Sequence, residues 1–180
     1  LFPIFVIGAI AQQLPKVRFV SDHPPYLNVR LLQGNVPQSM KFDSATIVNA
    51  VQDYVQMAAN SSTAPAGDLV VLPETALPVP AEQFPKAIED LGAVAREKNA
   101  FILMGAPDHR EGRWTNSVLL LGSDGVLQPQ RYDKQHLVPF GEFIPFGFRW
   151  FVQAMQMPLG DFARGAAEQA PFLIKGVRIA

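Results

Sequence analysis

Two short runs of uncharged, apolar residues constrain the fold of this chain most strongly. They are "LVVLP" at residues 69–73 and "FILMGA" at residues 101–106. A strand in which every residue is apolar is typical of a sheet covered on both faces. Between the two runs, apolar residues recur at helical spacing, which predicts a helix over about 82–98. Its predicted inward-facing residues are Phe84, Ile88, Leu91 and Ala95.

The remaining periodic segments extend this strand–helix–strand unit. Residues 28–33 have the composition of a short strand, and residues 44–60 carry their apolar side chains on one helical face. The run from Trp114 to Asp133 surrounds an "SDG" turn and predicts a β-hairpin. The last ten residues, "PFLIKGVRIA", predict two strands around a Lys-Gly turn. The sequence therefore predicts an α/β layered domain with helices packed on a sheet.

The N-terminal segment differs from this domain in composition. Residues 1–11 are uncharged and mainly apolar, but a bilayer span needs about 20 residues. We interpret residues 1–14 as the end of a transmembrane helix; the apolar part of a signal peptide and a buried N-terminal strand are the alternatives. Residues 15–26 contain three prolines and are predicted to be a linker. Because the sequence ends inside an apolar run, we expect a longer protein.

Composition excludes several classes of function. The net charge is −1 and the Lys and Arg residues form no stripe, so nucleic-acid binding is not expected. The chain has no cysteine, which removes disulfides and thiolate metal sites. Its three histidines show neither HxxxH nor HxH spacing, which argues against a zinc site. We expect no metal and no other cofactor.

Two charged residues directly follow predicted strands, where sites form in open α/β sheets. Glu74 comes after "LVVLP", at the edge of a low-dielectric core, so we expect its pKa to rise toward that of a useful base. Lys134 follows the hairpin and is expected to be a desolvated, low-pKa amine or an electrophilic donor. Glu142 is a candidate ion-pair partner for Lys134. Each residue alone has an ordinary alternative: a loop cap, a surface lysine and a solvent-exposed acid.

Three stretches in this order carry a family resemblance: "QGNVPQ" at 33–38, "LPETALP" at 72–78 and "YDKQHLVPFGEFIP" at 132–145. With them the chain resembles the apolipoprotein N-acyltransferases, membrane enzymes whose extracytoplasmic domain belongs to the carbon–nitrogen hydrolase (nitrilase) superfamily. The "HLVPFGEF" motif is specific to that branch, whereas "PE" and "DK" mark the whole superfamily. The resemblance covers about 27–180 and implies a nitrilase-like αββα sandwich that is C-terminally incomplete.

The resemblance implies a Glu–Lys–Cys triad. Glu74 matches its general base and Lys134 its lysine, while Glu142 matches a second glutamate that supports the site. The family's cysteine comes a few residues past Ala180, so we expect the nucleophile to lie beyond this sequence and the 180-residue chain alone to be inactive. A replaced nucleophile is the alternative.

The resemblance also implies three substrate-binding positions. Asn116 occupies a place where family members carry an asparagine near the site. Gln33 and Phe42 fall in a segment that lines the family's site, and Phe42 stands where a tryptophan is frequent.

The function implied by the resemblance is acyl transfer at a membrane. A phospholipid gives an acyl chain to the cysteine, and the amino-terminal diacylglyceryl-cysteine of an apolipoprotein accepts it, on the periplasmic side of the bacterial inner membrane. The segment 140–157 is rich in aromatic residues and methionine, which fits either an apolar mouth for lipid or core packing. Two other functions stay open: a soluble nitrilase-type amidase, and an inactive domain that binds lipid or protein.

Overall fold

The computed structural model describes residues 25–35, 44–60, 68–139, 141–143 and 162–180. In chain order the elements are β1 (Val29–Leu31), α1 (Ser44–Ala59), β2 (Leu69–Val71), a short 3-10 helix (Ala81–Gln83), α2 (Pro85–Lys98), β3 (Phe101–Arg110), β4 (Arg113–Leu121), β5 (Leu127–Asp133), β6 (Phe172–Ile174) and β7 (Val177–Ile179). Each strand and helix that the sequence predicts within the described residues is present. The predicted α/β class is therefore confirmed.

The main sheet is mixed. Its strand order is β1-β2-β3-β4-β5. The first three strands run parallel, whereas β3, β4 and β5 form an antiparallel meander. Since β5 is antiparallel to β4 and β4 to β3, the end of β5 lies at the same edge of the sheet as the ends of β1, β2 and β3. Side chains that follow β2 and β5 are thereby brought to the side of the sheet where these strands end, which we call the carboxyl edge.

Each face of the sheet is covered by a different layer. Helices α1 and α2 pack on one face, where Val70, Ile102 and Met104 lie in the core. The β6–β7 hairpin covers part of the other face, and its Phe172 packs with Leu69, Leu103 and Leu120. Neighbouring residues of β2 thus face different layers, as its wholly apolar sequence predicts. The described residues form a helix layer, the main sheet and a small second sheet, which are three layers of the predicted αββα arrangement.

The two largest differences from the predicted element boundaries are at the start of α2 and the end of β3. The helix expected over 82–98 is divided at Phe84, where φ is −121° and ψ is 53°. A residue before proline is disfavoured in the helical region, so α2 begins only at Pro85. Strand β3 continues past the predicted end at residue 106 to Arg110 and turns into β4 through Glu111 and Gly112, both at positive φ. Positive φ at both central residues favours a tight hairpin turn.

Some sequence predictions concern residues outside the described ranges. They are the membrane-related interpretation of residues 1–14, the linker that begins at residue 15, and the aromatic-rich segment 144–157. Within the residues that the structure describes, no helix is long and apolar enough to cross a membrane.

Gly105 in β3 lets the segment that follows β2, residues 72–77, pass very close to the backbone of β3. A Cβ atom at this position would lie 2.7 Å from the Thr75 nitrogen and 2.8 Å from the Glu74 Cα. The crossing is held by hydrogen bonds from Leu72 N to Leu103 O (2.8 Å) and from Leu77 N to Gly105 O (3.0 Å). Only a glycine at position 105 leaves room for the backbone around Glu74 to take this position.

We expect Gly105→Ala to lower the free energy of unfolding by about 1–3 kcal/mol, because the added methyl group meets backbone atoms that cannot rotate away. Urea-induced unfolding measures the change. The control is Gly141→Ala, where the nearest atom to a new Cβ is 3.6 Å away and φ is not positive. The control should change the free energy of unfolding by less than about 0.5 kcal/mol. Equal stability of the two variants would contradict the close approach.

Candidate active site

Four polar side chains meet at the carboxyl edge of the main sheet. The Lys134 ammonium lies 2.8 Å from Glu74 Oε1 and 3.1 Å from Glu142 Oε1. Asn116 Nδ2 donates to the same two oxygens, at 2.8 Å and 2.6 Å. The ion pair that the sequence suggested between Glu142 and Lys134 is therefore present, and Glu74 shares the same cation.

The sheet fixes Lys134 and Asn116 relative to one another. Asn116 lies in β4, and its carbonyl accepts a hydrogen bond from Lys134 N (2.8 Å) as β5 ends. The Lys134 carbonyl accepts a hydrogen bond from Gly165 N (3.0 Å). The peptide groups before and after Lys134 are thereby fixed by hydrogen bonds, so the lysine side chain starts from a defined backbone position.

Glu142 belongs to a loop that is closed on itself. Its Oε2 atom accepts a hydrogen bond from Val138 N (2.7 Å), and its own N–H donates to the Val138 carbonyl (2.9 Å). The side chain is only 13% exposed. One oxygen of this carboxylate holds the loop and the other holds Lys134 and Asn116, which explains why a glutamate stands in an apolar "VPFGEF" loop.

The structure corrects the expected pKa of Glu74. The hydrogen bond from Lys134 lowers the pKa of this carboxyl below its usual value, and this effect outweighs the rise caused by burial. Asn116 contributes in the same direction. The sequence prediction of a raised pKa was wrong, because it considered the strand end without the ammonium group 2.8 Å away.

The other two charges are paired as well. Burial acts to lower the pKa of Lys134, but hydrogen bonds to Glu74 and Glu142 outweigh it and the pKa is raised. The expectation of a low-pKa amine was wrong for this reason. Burial acts to raise the pKa of Glu142, but the bonds from the Val138 N–H, Asn116 and Lys134 lower it. All three groups are therefore ionised around neutral pH.

A cavity of about 760 Å³ opens beside these charges. Glu74, Asn116 and Lys134 line one part of it. The rest is mainly apolar and includes Val71, Leu103, Val118, Phe172 and Ile179. An apolar pocket with a few convergent polar groups is the usual form of a ligand site. This lining suits a ligand with an apolar body and one polar end.

Of the three predicted substrate-binding residues, Asn116 lines this cavity and Gln33 does not. Gln33 is exposed, just beyond the end of β1, and does not line the cavity. Phe42 lies outside the described residues. His136, the first residue of the "HLVPFGEF" motif, is exposed. Among the residues that the structure describes, no three His, Asp or Glu side chains are grouped so that they could hold a metal ion.

Sequence reasoning missed several residues that line the cavity. Tyr132 and Val118 lie on the same face of the sheet as Lys134 and Asn116, respectively. Strand alternation places residues two apart on one face, so these two were accessible from the sequence. Gln135 and Gln169 also line the cavity. Nothing in the local sequence of Gln169 indicates that it reaches this edge.

Comparisons with known proteins agree on the family. The model of the family described as "Carbon-nitrogen hydrolase" matches residues 28–172. A putative apolipoprotein N-acyltransferase of Bordetella parapertussis is 44% identical over 170 residues, covering 86% of this chain and 31% of that protein. The apolipoprotein N-acyltransferase of Ralstonia nicotianae is also 44% identical, covering 86% of this chain and 29% of that protein. The chain spans about a third of the length of these curated relatives.

Solved structures show the same fold. A carbon–nitrogen hydrolase from Helicobacter pylori superimposes with a TM-score of 0.52 at 20% identity, covering 84% of this chain and 49% of that one. A carbon–nitrogen hydrolase superfamily protein from Xanthomonas campestris, with an arsenic adduct in its active site, gives 0.51 at 24% identity, covering 84% of this chain and 51% of that one.

The paired charges predict a pH dependence of stability. Because the folded pKa values of Glu74 and Glu142 are lowered, their stabilising effect is complete above the ordinary glutamate value of 4.5 and is lost as the pH falls through the folded values. In Lys134→Met the ammonium is absent and the carboxylates repel, so their pKa values should rise. We therefore expect the variant to lose less unfolding free energy than the wild type between about pH 7 and about pH 3.

Urea-induced unfolding at a series of pH values measures this difference. Lys86→Met is the matched control, because Lys86 is exposed and forms its ion pair with Asp90 within α2, away from the site. Its acid dependence should stay close to that of the wild type. Identical slopes for Lys134→Met and the wild type would mean that the three charges are not coupled in solution.

Proposed function

The chain belongs to the carbon–nitrogen hydrolase family, and from this premise we propose that it forms the catalytic domain of an apolipoprotein N-acyltransferase. The observation that carries the proposal is the Lys134 ammonium held between Glu74 and Glu142 beside a largely apolar cavity. The names of the curated relatives support acyl transfer to lipoproteins rather than amide hydrolysis.

The proposed substrates account for the form of the cavity. A phospholipid would donate its acyl chain, and the amino-terminal diacylglyceryl-cysteine of an apolipoprotein would accept it. The apolar lining suits the chain, and the charged edge suits the ester carbonyl. Such substrates lie in a membrane, so we place the domain at the periplasmic face of the bacterial inner membrane.

The nucleophile of this reaction would be a cysteine supplied by polypeptide beyond Ala180, since none of the 180 residues is a cysteine. Ile179 and Ala180 line the same cavity as Glu74 and Lys134. Strand β7 therefore ends at the cavity that these two charged side chains line. A residue shortly after β7 would be well placed to receive help from both side chains.

In the first half-reaction Glu74 would take the thiol proton, and the thiolate would attack the ester carbonyl carbon. Lys134 would stabilise the oxyanion that forms, an effect commonly worth about 3–4 kcal/mol per donor. The ester C–O bond then breaks. The leaving alcohol receives the proton from Glu74, and the acyl chain remains on the enzyme as a thioester.

In the second half-reaction the acceptor amine would attack the thioester carbonyl and form the amide. The amine loses a proton to Glu74, the C–S bond breaks, and the sulfur takes that proton back. Lys134 would again stabilise the oxyanion. Glu142 and Asn116 would not exchange protons; they would keep the ammonium and the Glu74 carboxylate in register through the bonds described above.

We expect Glu74→Gln and Lys134→Ala in the full-length protein each to reduce acyl-enzyme formation by about 10²–10⁴-fold, because each change removes a separate role in proton transfer or oxyanion stabilisation. Mass spectrometry of the enzyme after incubation with phospholipid vesicles would detect the thioester. The exposed residues Glu82 and Lys86 provide the matched controls, Glu82→Gln and Lys86→Ala. Retained acylation in either site variant would refute these assignments, and hydrolysis of a simple amide without any acylation would favour an amidase.

The nucleophile can be tested directly by sequencing the source gene past the codon for Ala180. We expect a cysteine codon within the next few residues, at the end of an apolar strand. Serine, alanine or a stop codon at that point would leave Glu74 and Lys134 without a thiol to activate. The domain would then be better explained as a binding module.

A further inference from the structure

Residues 165–171 form a strap beside the cavity that has no regular secondary structure. Three glutamine side chains hold it to β5 and the residues that follow. Gln130 donates to the carbonyls of Ala170 and Pro171, at 3.1 Å and 2.9 Å. Gln135 donates to the carbonyls of residues 166 and 167. Gln169 belongs to the strap itself and reaches the other way, toward the end of β5.

Gln169 makes a two-point contact with the backbone of Asp133. Its Oε1 atom accepts a hydrogen bond from Asp133 N at 2.8 Å, and its Nε2 atom donates to Asp133 O at 2.8 Å. Nε2 also donates to Ala166 O at 3.1 Å. Among the described residues β5 is the last strand of the main sheet, so none of them forms a neighbouring strand for Asp133 on this side. The amide of Gln169 takes the place of one peptide group of such a strand.

The Asp133 side chain is fixed independently of this contact. Its Oδ1 atom accepts a hydrogen bond from Ser117 Oγ (2.7 Å) and lies 2.9 Å from Arg131 Nε. What the glutamine adds is a hold on the backbone, including the carbonyl of the peptide group between Asp133 and Lys134, whose N–H is bound to the Asn116 carbonyl. Gly165 acts on the same place, because a Cβ atom there would lie 2.1 Å from Asp133 O. The strap therefore packs directly on the residue that precedes the lysine.

We propose that Gln169 is a positioning residue for Lys134. It fixes the orientation of the last peptide group of β5, and that orientation determines whether the lysine side chain reaches Glu74 and Glu142 together. The lysine must satisfy two carboxylates at 2.8 Å and 3.1 Å, so a small rotation of its backbone breaks at least one contact. The consequence of this positioning role for catalysis rests on the proposed function, whereas the effect of Gln169 on the position of Lys134 does not.

The test compares Gln169→Met with Gln130→Met in the full-length protein. Both glutamines reach between β5 and the strap through two or more hydrogen bonds, but the bonds of Gln130 go to residues 170 and 171 and none reaches residue 133 or 134. The first readout is the rate at which acetic anhydride acetylates Lys134 at mildly alkaline pH, measured by mass spectrometry. Loss of the carboxylate partners should make this amine react roughly 3–10-fold faster in Gln169→Met.

The second readout is acyl transfer. We expect Gln169→Met to lower kcat by roughly 10–100-fold with little change in KM, because a displaced catalytic group costs rate more than binding. Gln130→Met should leave both the labelling rate and kcat within about twofold of the wild type. Gln169→Glu is a nearly isosteric second variant that keeps the acceptor for Asp133 N and loses the donor to Asp133 O. Because its second carboxylate oxygen would face the carbonyl oxygens of residues 133 and 166, its labelling rate should rise and its kcat should fall as in Gln169→Met, and it decides the matter if Gln169→Met does not fold.

The outcomes separate the two proposals. Equal effects of Gln169→Met and Gln130→Met would mean that Gln169 only attaches the strap, and the positioning role would be overturned. Unchanged labelling of Lys134 in the Gln169 variants would overturn it too. Faster labelling in a protein that transfers no acyl group even as the wild type would uphold the positioning role and refute the proposed function.

Discussion

The arrangement of the site depends on one ammonium group shared by two carboxylates. Glu74 and Glu142 come from loops that are far apart in the sequence, and Lys134 contacts both of them. Without the cation, two negative charges would lie on either side of Asn116 and would repel each other. With it, each carboxylate keeps a lowered pKa and the lysine a raised one. The loop carrying Glu142 and the crossing after β2 are brought together by this charge pairing.

The same pairing determines what the site can do to a proton. A glutamate beside an ammonium group is a weaker base than a glutamate buried alone, but it is ionised throughout the neutral range. The cation that weakens it would also lower the pKa of a thiol placed nearby. Proton transfer from such a thiol to the glutamate would then be favoured by the lowered pKa of the thiol, and a strongly basic carboxylate would not be needed. The proposed chemistry therefore requires both charges together, and the pKa of Glu74 alone does not predict reactivity.

Sequence pattern predicted the parts of this structure that depend on local rules. The apolar runs at 69–73 and 101–106 indicated buried strands, and the "SDG" turn indicated the hairpin, because alternation and turn chemistry act over a few residues. The extension of β3 to Arg110 was missed because "PDHR" has the composition of a loop, although it pairs with β4. The directions of the pKa shifts and the two-point contact of Gln169 with Asp133 were missed for a different reason. Each depends on a partner brought close only by the fold, such as Asp133 for Gln169, 36 residues away.

The meander explains how a mixed sheet gathers these groups with short connections. After β3, two antiparallel steps return the chain to the direction of β2, so Lys134 follows β5 at the edge where Glu74 follows β2. Asn116 lies near the start of β4, which begins at that edge, and so stands between them. A further parallel strand in place of the meander would need a crossover of a dozen or more residues. Such a crossover would also bring no residue like Asn116, because only an antiparallel strand starts at the edge where its neighbours end.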